Sequence, residues 1–439
     1  MINKQFRKLL MALLLILTIL ERGYGQTNAT DSLELTPLIN KVIQTYPTIQ
    51  QAAEALTAAD LKIELARSAY LPNATATGSF AHIGPVPSLT LPDVGSFSLA
   101  PHNPLNASLN INQTITDFGK TKKSIEYEEK SKQLASLGME QVKQKMSLAV
   151  IGYYYNLLFY QEAVSIKDQQ LTTLGQHLKN VEKQVETGSA TQYEILSTKV
   201  RISNVESQKT DVITALSFQN SYLNMLLGEN ATSQHRVKNA LRTELIPFGE
   251  DSLIKIALNN RNEMKIVEKK MIVSQAYQDL VKTHENPVLS AFATGGWKNG
   301  YIPELEKSKA NYVVGLSLQI SIFDATRTSL NTQLAGSALR SIGQEVDLTK
   351  RTITNEVMES INSLKAAISK TELFGMQLSQ AKKALELAEL KYKSGTLTNL
   401  DLLDAENAVS ESSLLYLKAR IERVMVGYRL KSVLGTNLY

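Results

Sequence analysis

Asp401 and Asp404 are the pair of ionisable residues whose spacing first suggests chemistry. They stand three positions apart in a segment patterned as a helix, so both carboxylates occupy neighbouring positions on one helix face. Thr398 precedes Asp401 by three residues, the spacing of a capping box, in which a hydroxyl and a carboxylate each satisfy a free backbone N–H. Thr191 and Glu194 repeat that spacing 207 residues earlier, and Gly188 and Gly395 precede the two boxes at the same separation. Capping alone can account for Asp401 and Glu194. Asp404 lies beyond the first turn and capping explains it poorly. Other chemistry finds little support. The five histidines (His82, His102, His177, His235 and His284) are scattered, with no HExxH or comparable ligand spacing. There is no cysteine, hence no thiolate metal site, disulfide or lipid-modified N-terminal cysteine. No glycine-rich phosphate loop and no nucleophile elbow is present. The sequence points away from an enzyme and from a bound cofactor or metal.

The elements that carry these residues are long. From about Arg327 to Tyr392 the chain has no proline and three glycines, and after the Gly395 turn a second helical segment runs to about Leu434. The first copy spans about Thr121 to Val185, nearly 100 Å at ~1.5 Å per residue. Leu171, Leu174, Leu178, Val181 and Val185 follow a 3,4,3,4 spacing, as do Leu378, Ala381, Leu385, Ala388 and Tyr392. A period of 3.5 marks helices that supercoil against neighbours. Upstream, Thr36-Pro37 starts a helix that Pro72 ends, and Pro287 ends its counterpart 215 residues on.

Between the helices the period changes to two. Leu105, Ala107, Leu109 and Ile111 alternate with Asn106, Ser108, Asn110 and Asn112, while Tyr312, Val314, Leu316, Leu318 and Ile320 alternate with polar residues broken only by Val313. This predicts strands over about 105–116 and 311–322, with weaker candidates at 73–82 and 288–297. Residues 26–228 form one repeat and 250–439 a second, joined by a polar connector at 229–249. Each repeat is a helix, a β-hairpin, a long helix and a shorter helix. Lys4, Arg7 and Lys8 followed by the apolar Leu9–Leu20 mark residues 1–25 as an export signal. That run is shorter than the ~20 residues that span a bilayer. The full chain holds 47 basic and 42 acidic residues. Without the signal the balance is nearly neutral, and no basic stripe invites nucleic acid.

Strands of about ten residues with one apolar face match transmembrane β-strands. Lipid tolerates no open sheet edge, and four strands are too few to close a barrel. The chain must therefore supply part of a wall and oligomerise. Three copies would provide twelve strands, with Tyr70, Phe118, Trp297, Tyr312 and Phe323 near the strand ends as interfacial aromatics.

This layout resembles the TolC-type outer-membrane efflux proteins over essentially the whole mature chain. The residues that carry the likeness are the Tyr392-Lys-Ser-Gly395 turn, the Asp401-Leu-Leu-Asp404 step and the closing Ser432-Val-Leu-Gly-Thr436. The resemblance implies a mainly α homotrimer, with a twelve-stranded barrel on a long periplasmic coiled-coil tunnel. It implies a passive exit duct of a tripartite efflux or type I secretion system in a Gram-negative outer membrane. Its partners would be outer-membrane lipid, a periplasmic adaptor and an inner-membrane pump of RND, ABC or MFS type. It also implies that Asp401 and Asp404 face the lumen as a constriction ring, where six crowded carboxylates would attract cations. Tyr392 would help close the tip beside Gly188, Thr191, Glu194, Gly395 and Thr398, although a tyrosine at a seam position is more often plain core. Pro72, Pro287, Phe118 and Phe323 would mark the helix-to-barrel junctions. One departure is Leu397, which stands where the family's resting tip has an arginine, so an ion pair from that position to Glu194 is missing. The competing reading is a periplasmic adaptor or spacer, which typically carries one helical hairpin where this chain has two. The cargo is not encoded in these features.

Overall fold

The computed structural model describes residues 33–438 apart from 94, 240 and 242–248; the expected export signal and part of the connector lie outside them. Helices α1 (Leu35–Thr45) and α2 (Pro47–Arg67) lead into β1 (Asn73–Phe80), a small pair β2 (Ser88–Leu91) and β3 (Gly95–Ser98), then β4 (Leu105–Thr116). Helix α3 (Lys120–Glu186) and helix α4 (Gln192–Leu227) complete the first repeat. The second contains α5 (Glu250–Asn260), α6 (Asn262–Lys282), β5 (Val288–Lys298), β6 (Lys309–Gln319), α7 (Arg327–Lys393) and α8 (Asn399–Val433). Both long helices have 67 residues.

Two sequence expectations need correction, the strand limits and the continuity of the opening helices. The first strand ends at Phe80 and not at 82, and the last occupies Lys309–Gln319 and not 311–322. The loop between β1 and β4 holds the β2–β3 hairpin, whose four-residue strands are too short to show a period. The opening helix of each repeat is broken. Tyr46 is extended, with Pro47 starting α2, and Arg261 is extended between α5 and α6. Proline signals the first break directly. The second has no proline; there Arg261 pairs with Glu263 at 3.0 Å and with Glu356 of α7. These charges hold the Arg261 guanidinium protonated and keep Glu263 below the usual carboxylate range against the cost of burial.

The four long strands form one antiparallel sheet in the order β1-β4-β5-β6, so the two repeats join through β4 and β5. Directly opposed residues share a face. On one side Ala76, Leu109, Gly295 and Tyr312 line up, followed by Ala74, Ile111, Ala293 and Val314. On the other side Thr77 and Ser108 hydroxyls meet at 2.9 Å, Asn110 donates to Thr77 at 3.2 Å, and Thr294 donates to Asn110 at 2.9 Å. The apolar face is open: Leu109 is 50 %, Tyr312 83 % and Val314 73 % exposed. Phe292 lies on the polar side over Gly315, where an added Cβ would come within 2.8 Å of its ring. The alternation therefore survives, with Phe292 and Val313 on the polar side and Gln113, opposite Ala291, on the apolar side as its exceptions.

The described chain packs as two compact units. One holds the sheet and a helical core in which Leu253, Ala257, Val267, Ile353, Val357 and Leu430 are buried. The other comprises the described residues of 33–39, 152–241 and 374–421, and buries Leu174, Val205 and Leu403 together. Within it, the described part of the connector lies alongside the N-terminal strand residue Leu33: Lys238 N–H donates to the Leu33 carbonyl at 3.1 Å. Tyr154 of α3 donates its hydroxyl to the Lys238 carbonyl at 2.8 Å. Among the described residues, no helix is long and apolar enough to cross a membrane.

Candidate functional site

The helix turns form as their glycines require. Gly188 and Gly395 adopt φ of 74° and 72°, the left-handed region that glycine enters without steric cost. Ser189 N–H then returns to the Gln184 carbonyl at 2.7 Å and Thr396 N–H to the Lys391 carbonyl at 2.9 Å, closing both helices with the same C-terminal motif. Each returning helix starts with a capping box, Thr191 with Glu194 and Thr398 with Asp401.

Side chains from α3, α4, α7 and α8 meet just inside these turns. The Tyr392 hydroxyl donates to Gln184 Oε1 at 3.1 Å and lies 3.4 Å from Glu194 Oε2. Burial, helped by the neighbouring Glu194 carboxylate, pushes the Tyr392 phenol up to about 12, so it remains a neutral donor. Its ring lies 5.4 Å from that of His177. His177 is buried and its Nε2 is 2.6 Å from Asn399 Oδ1. The Asn399 amide nitrogen donates to Ser197 at 3.3 Å and Thr198 at 3.5 Å. Asn399 Oδ1 is thus the acceptor, and His177 Nε2 carries the hydrogen. One buried amide links α3, α4 and α8.

Asp401 Oδ2 accepts from the Thr398 hydroxyl at 2.6 Å and its backbone N–H at 3.3 Å, the capping role. Asp404 projects from the same helix and accepts from Arg201 of α4 at 2.6 Å, with its side chain 62 % exposed. Both carboxylates therefore have local partners, and Asp404 has one that the sequence reading did not assign. Two residues further, Glu406 is buried and its carboxyl is pushed up to about 7, by desolvation first and by Glu389 second, against the pull of Arg201.

The junction residues belong to the other unit. Pro72 and Pro287 each follow a short 3₁₀ turn and precede a strand. Phe118 and Phe323 are 58 % and 82 % exposed. Beside them Asp117 accepts from the Thr121 N–H at 2.7 Å and Asp324 from the Thr328 N–H at 2.8 Å, starting the two long helices identically.

His177, Asn399, Arg201 and Glu406 were not singled out as site residues from sequence. None lies at a repeated position: their counterparts are Ala384, Gln192, Ala408 and Lys199. The repeat that exposes the turns hides the network between them. Its only sequence signal is a polar residue beside a coiled-coil seam, as with His177 between Leu174 and Leu178.

The profile of the family described as outer membrane efflux protein matches residues 38–229 and 253–436, one match on each repeat. The chain is 20 % identical over 412 residues to the outer membrane protein TolC of Vibrio cholerae, covering 92 % of this chain and 90 % of that one. It is 21 % identical over 415 residues to TolC of Escherichia coli, covering 89 % and 80 %. Among solved structures, CusC aligns with a TM-score of 0.76 at 17 % identity, covering 94 % of this chain and 96 % of that one. The CmeC outer membrane channel of Campylobacter jejuni aligns at 0.75 and 14 % identity, covering 94 % and 90 %. With both repeats matched and the fold shared from end to end, this chain belongs to the outer membrane efflux protein family.

Proposed function

We propose that three copies of this chain assemble into an outer-membrane exit duct, with four strands from each in one closed wall and the helices in a periplasmic tunnel. The sheet carries this reading: one face is apolar, and its two edges, β1 and β6, are unpaired among the described residues. In lipid each such edge costs several kcal/mol per unpaired group, so β6 of one copy must pair with β1 of the next. The row of Thr77, Ser108, Asn110 and Thr294 then lines a wet bore. The duct is passive. A periplasmic adaptor and an inner-membrane pump of RND, ABC or MFS type supply the drive, and the cargo is a drug, another small molecule or a protein.

At the periplasmic end, Asp401 and Asp404 form the constriction ring. Tyr392, Glu194, Thr191, Thr398 and the Gly188 and Gly395 turns form the closure. With Leu397 in place of an arginine, the Tyr392 hydroxyl supplies the link to Glu194. Arg201 offsets part of the ring's charge. Pro72, Pro287, Phe118 and Phe323 set the change from helix to strand.

The full chain, extracted in detergent and reconstituted in planar bilayers, tests this. It should be trimeric and conducting, with block by hexamminecobalt that Asp404→Ala relieves. A monodisperse monomer without conductance overturns the duct. Conductance whose block is unchanged by Asp404→Ala overturns the ring alone.

A further inference from the structure

Behind the tip, in the same unit, α3, α7 and α8 border a cavity of about 210 Å³. Glu406 lines it, is only 8 % exposed, and has an Oε2 with no hydrogen-bond partner among the described residues. A carboxylate oxygen left unpaired beside empty space invites a donor.

The rest of the lining says which kind. The Thr173 hydroxyl gives its hydrogen to the Gln169 carbonyl at 3.1 Å, Ser413 to the Val409 carbonyl at 2.7 Å, and Ser410 to Gln170 Oε1 at 2.7 Å. With their hydrogens engaged, these hydroxyls offer the cavity only oxygen lone pairs. Gln170 is engaged too: Lys167 donates to its oxygen at 3.2 Å and its amide nitrogen points to Asn407 at 3.4 Å. Gln169 and Lys382 add donors at the border, but the wall beside Glu406 is mainly acceptors, which suits a group with several donors and no acceptor, an ammonium. Ile166, Leu385 and Val409 supply apolar wall for a hydrocarbon body.

We propose that this cavity binds small organic ammonium ions, with the charged head on Glu406 and the carbon skeleton against Leu385 and Val409. The site goes beyond the duct reading and does not depend on it. In the cavity Glu406 is pushed up to about 7, because burial and Glu389 of α7 oppose ionisation while Arg201 of α4 favours it. Arg201 is shared with Asp404 on α8. On α3, Lys167 is held by Gln170 and Gln208. The exposed Lys382 of α7 also borders the cavity and is its internal competitor. An incoming ammonium displaces the proton, so binding strengthens as pH rises from 6 to 8.

The test is a ¹⁹F NMR titration of the purified full chain in non-ionic detergent with 4-fluorobenzylammonium, using 4-fluorobenzyl alcohol as the uncharged control. Saturable binding of the ammonium is expected at pH 8, weaker at pH 6, and reduced roughly tenfold or more by Glu406→Gln, the loss of a hydrogen bond to a charged group. Lys382→Ala should tighten it. Leu385→Trp, which fills the cavity and keeps the carboxyl, should abolish it and guards against a Glu406→Gln variant that fails to fold. Absence of saturable binding, equal binding of the alcohol, or affinity unmoved by both Glu406→Gln and Leu385→Trp overturns the site.

Discussion

Glu194 and Asp401 begin equivalent helices after equivalent turns, yet they do different work. Each closes a capping box with the threonine three residues before it. Glutamate is longer by one methylene. Its Oε1 serves the cap at 3.3 Å while Oε2 reaches the Tyr392 hydroxyl at 3.4 Å. Aspartate takes both cap contacts on Oδ2. The partner residues diverge in the same way: Tyr392 corresponds to Val185, Asn399 to Gln192, and the buried Glu406 to Lys199, whose ammonium sits on the surface 3.7 Å from Glu182. Backbone geometry at the two tips is duplicated, and the side-chain wiring is not.

That contrast can be broken most visibly at Glu406. A carboxyl whose folded value is about 7 prefers its proton in the folded state. Folded stability is therefore full below the ordinary carboxylate value near 4.5 and declines as pH rises towards 7. Glu406→Gln should remove that decline, raising hydrogen-exchange protection of residues 399–410 at pH 8 by on the order of 2 kcal/mol and leaving it unchanged at pH 4. Lys199→Gln, the matched change in the first copy, should alter neither. Equal responses in the two variants would erase the asymmetry.

Asn399→Ala comes next. It leaves the His177 N–H buried without its acceptor, while the Ser197 and Thr198 hydroxyls keep the Glu194 carbonyl, a cost of about 1–3 kcal/mol. Faster exchange in residues 395–403 and a larger single-channel conductance are the expected readouts; Gln192→Ala, at the exposed equivalent position, should change neither. A smaller effect separates the two acidic caps. Tyr392→Phe and Glu194→Gln should be non-additive by roughly 0.5–1 kcal/mol in a double-mutant cycle, because they remove one shared contact. Tyr392→Phe with Asp401→Asn should be additive. The smallest change is at Arg201. Its ion pair with Asp404 is solvated, worth at most about 1 kcal/mol. Arg201→Ala should leave stability nearly unchanged while strengthening cation block of the conductance.

The fold was legible wherever local chemistry repeats. Prolines 72 and 287, the Gly188 and Gly395 turns and the period-two runs each carry their own signal within a few residues. The break at Arg261 was not legible, because its extended backbone is held by Glu356, which lies 95 residues away and has no sequence mark. The β4–β5 pairing was also hidden: hairpins announce themselves by proximity, whereas a seam between distant strands does not. At the tip, turns and caps could be read directly. Asp404 stood out by position, but Arg201 could not be attached to it, since in sequence an arginine on a long helix resembles any other solvated charge. His177 and Asn399 required the tertiary structure, being 222 residues apart.

Joining the two repeats through β4 and β5 has a consequence for symmetry. A ring built from six separate halves would repeat itself at every sixty degrees, and no position could change in one half alone. In the proposed trimer, fusing the halves into one polypeptide lowers that order to three. A mutation can then alter alternate helical hairpins around the rim and spare those between. A partner at the proposed rim would meet two kinds of surface in turn.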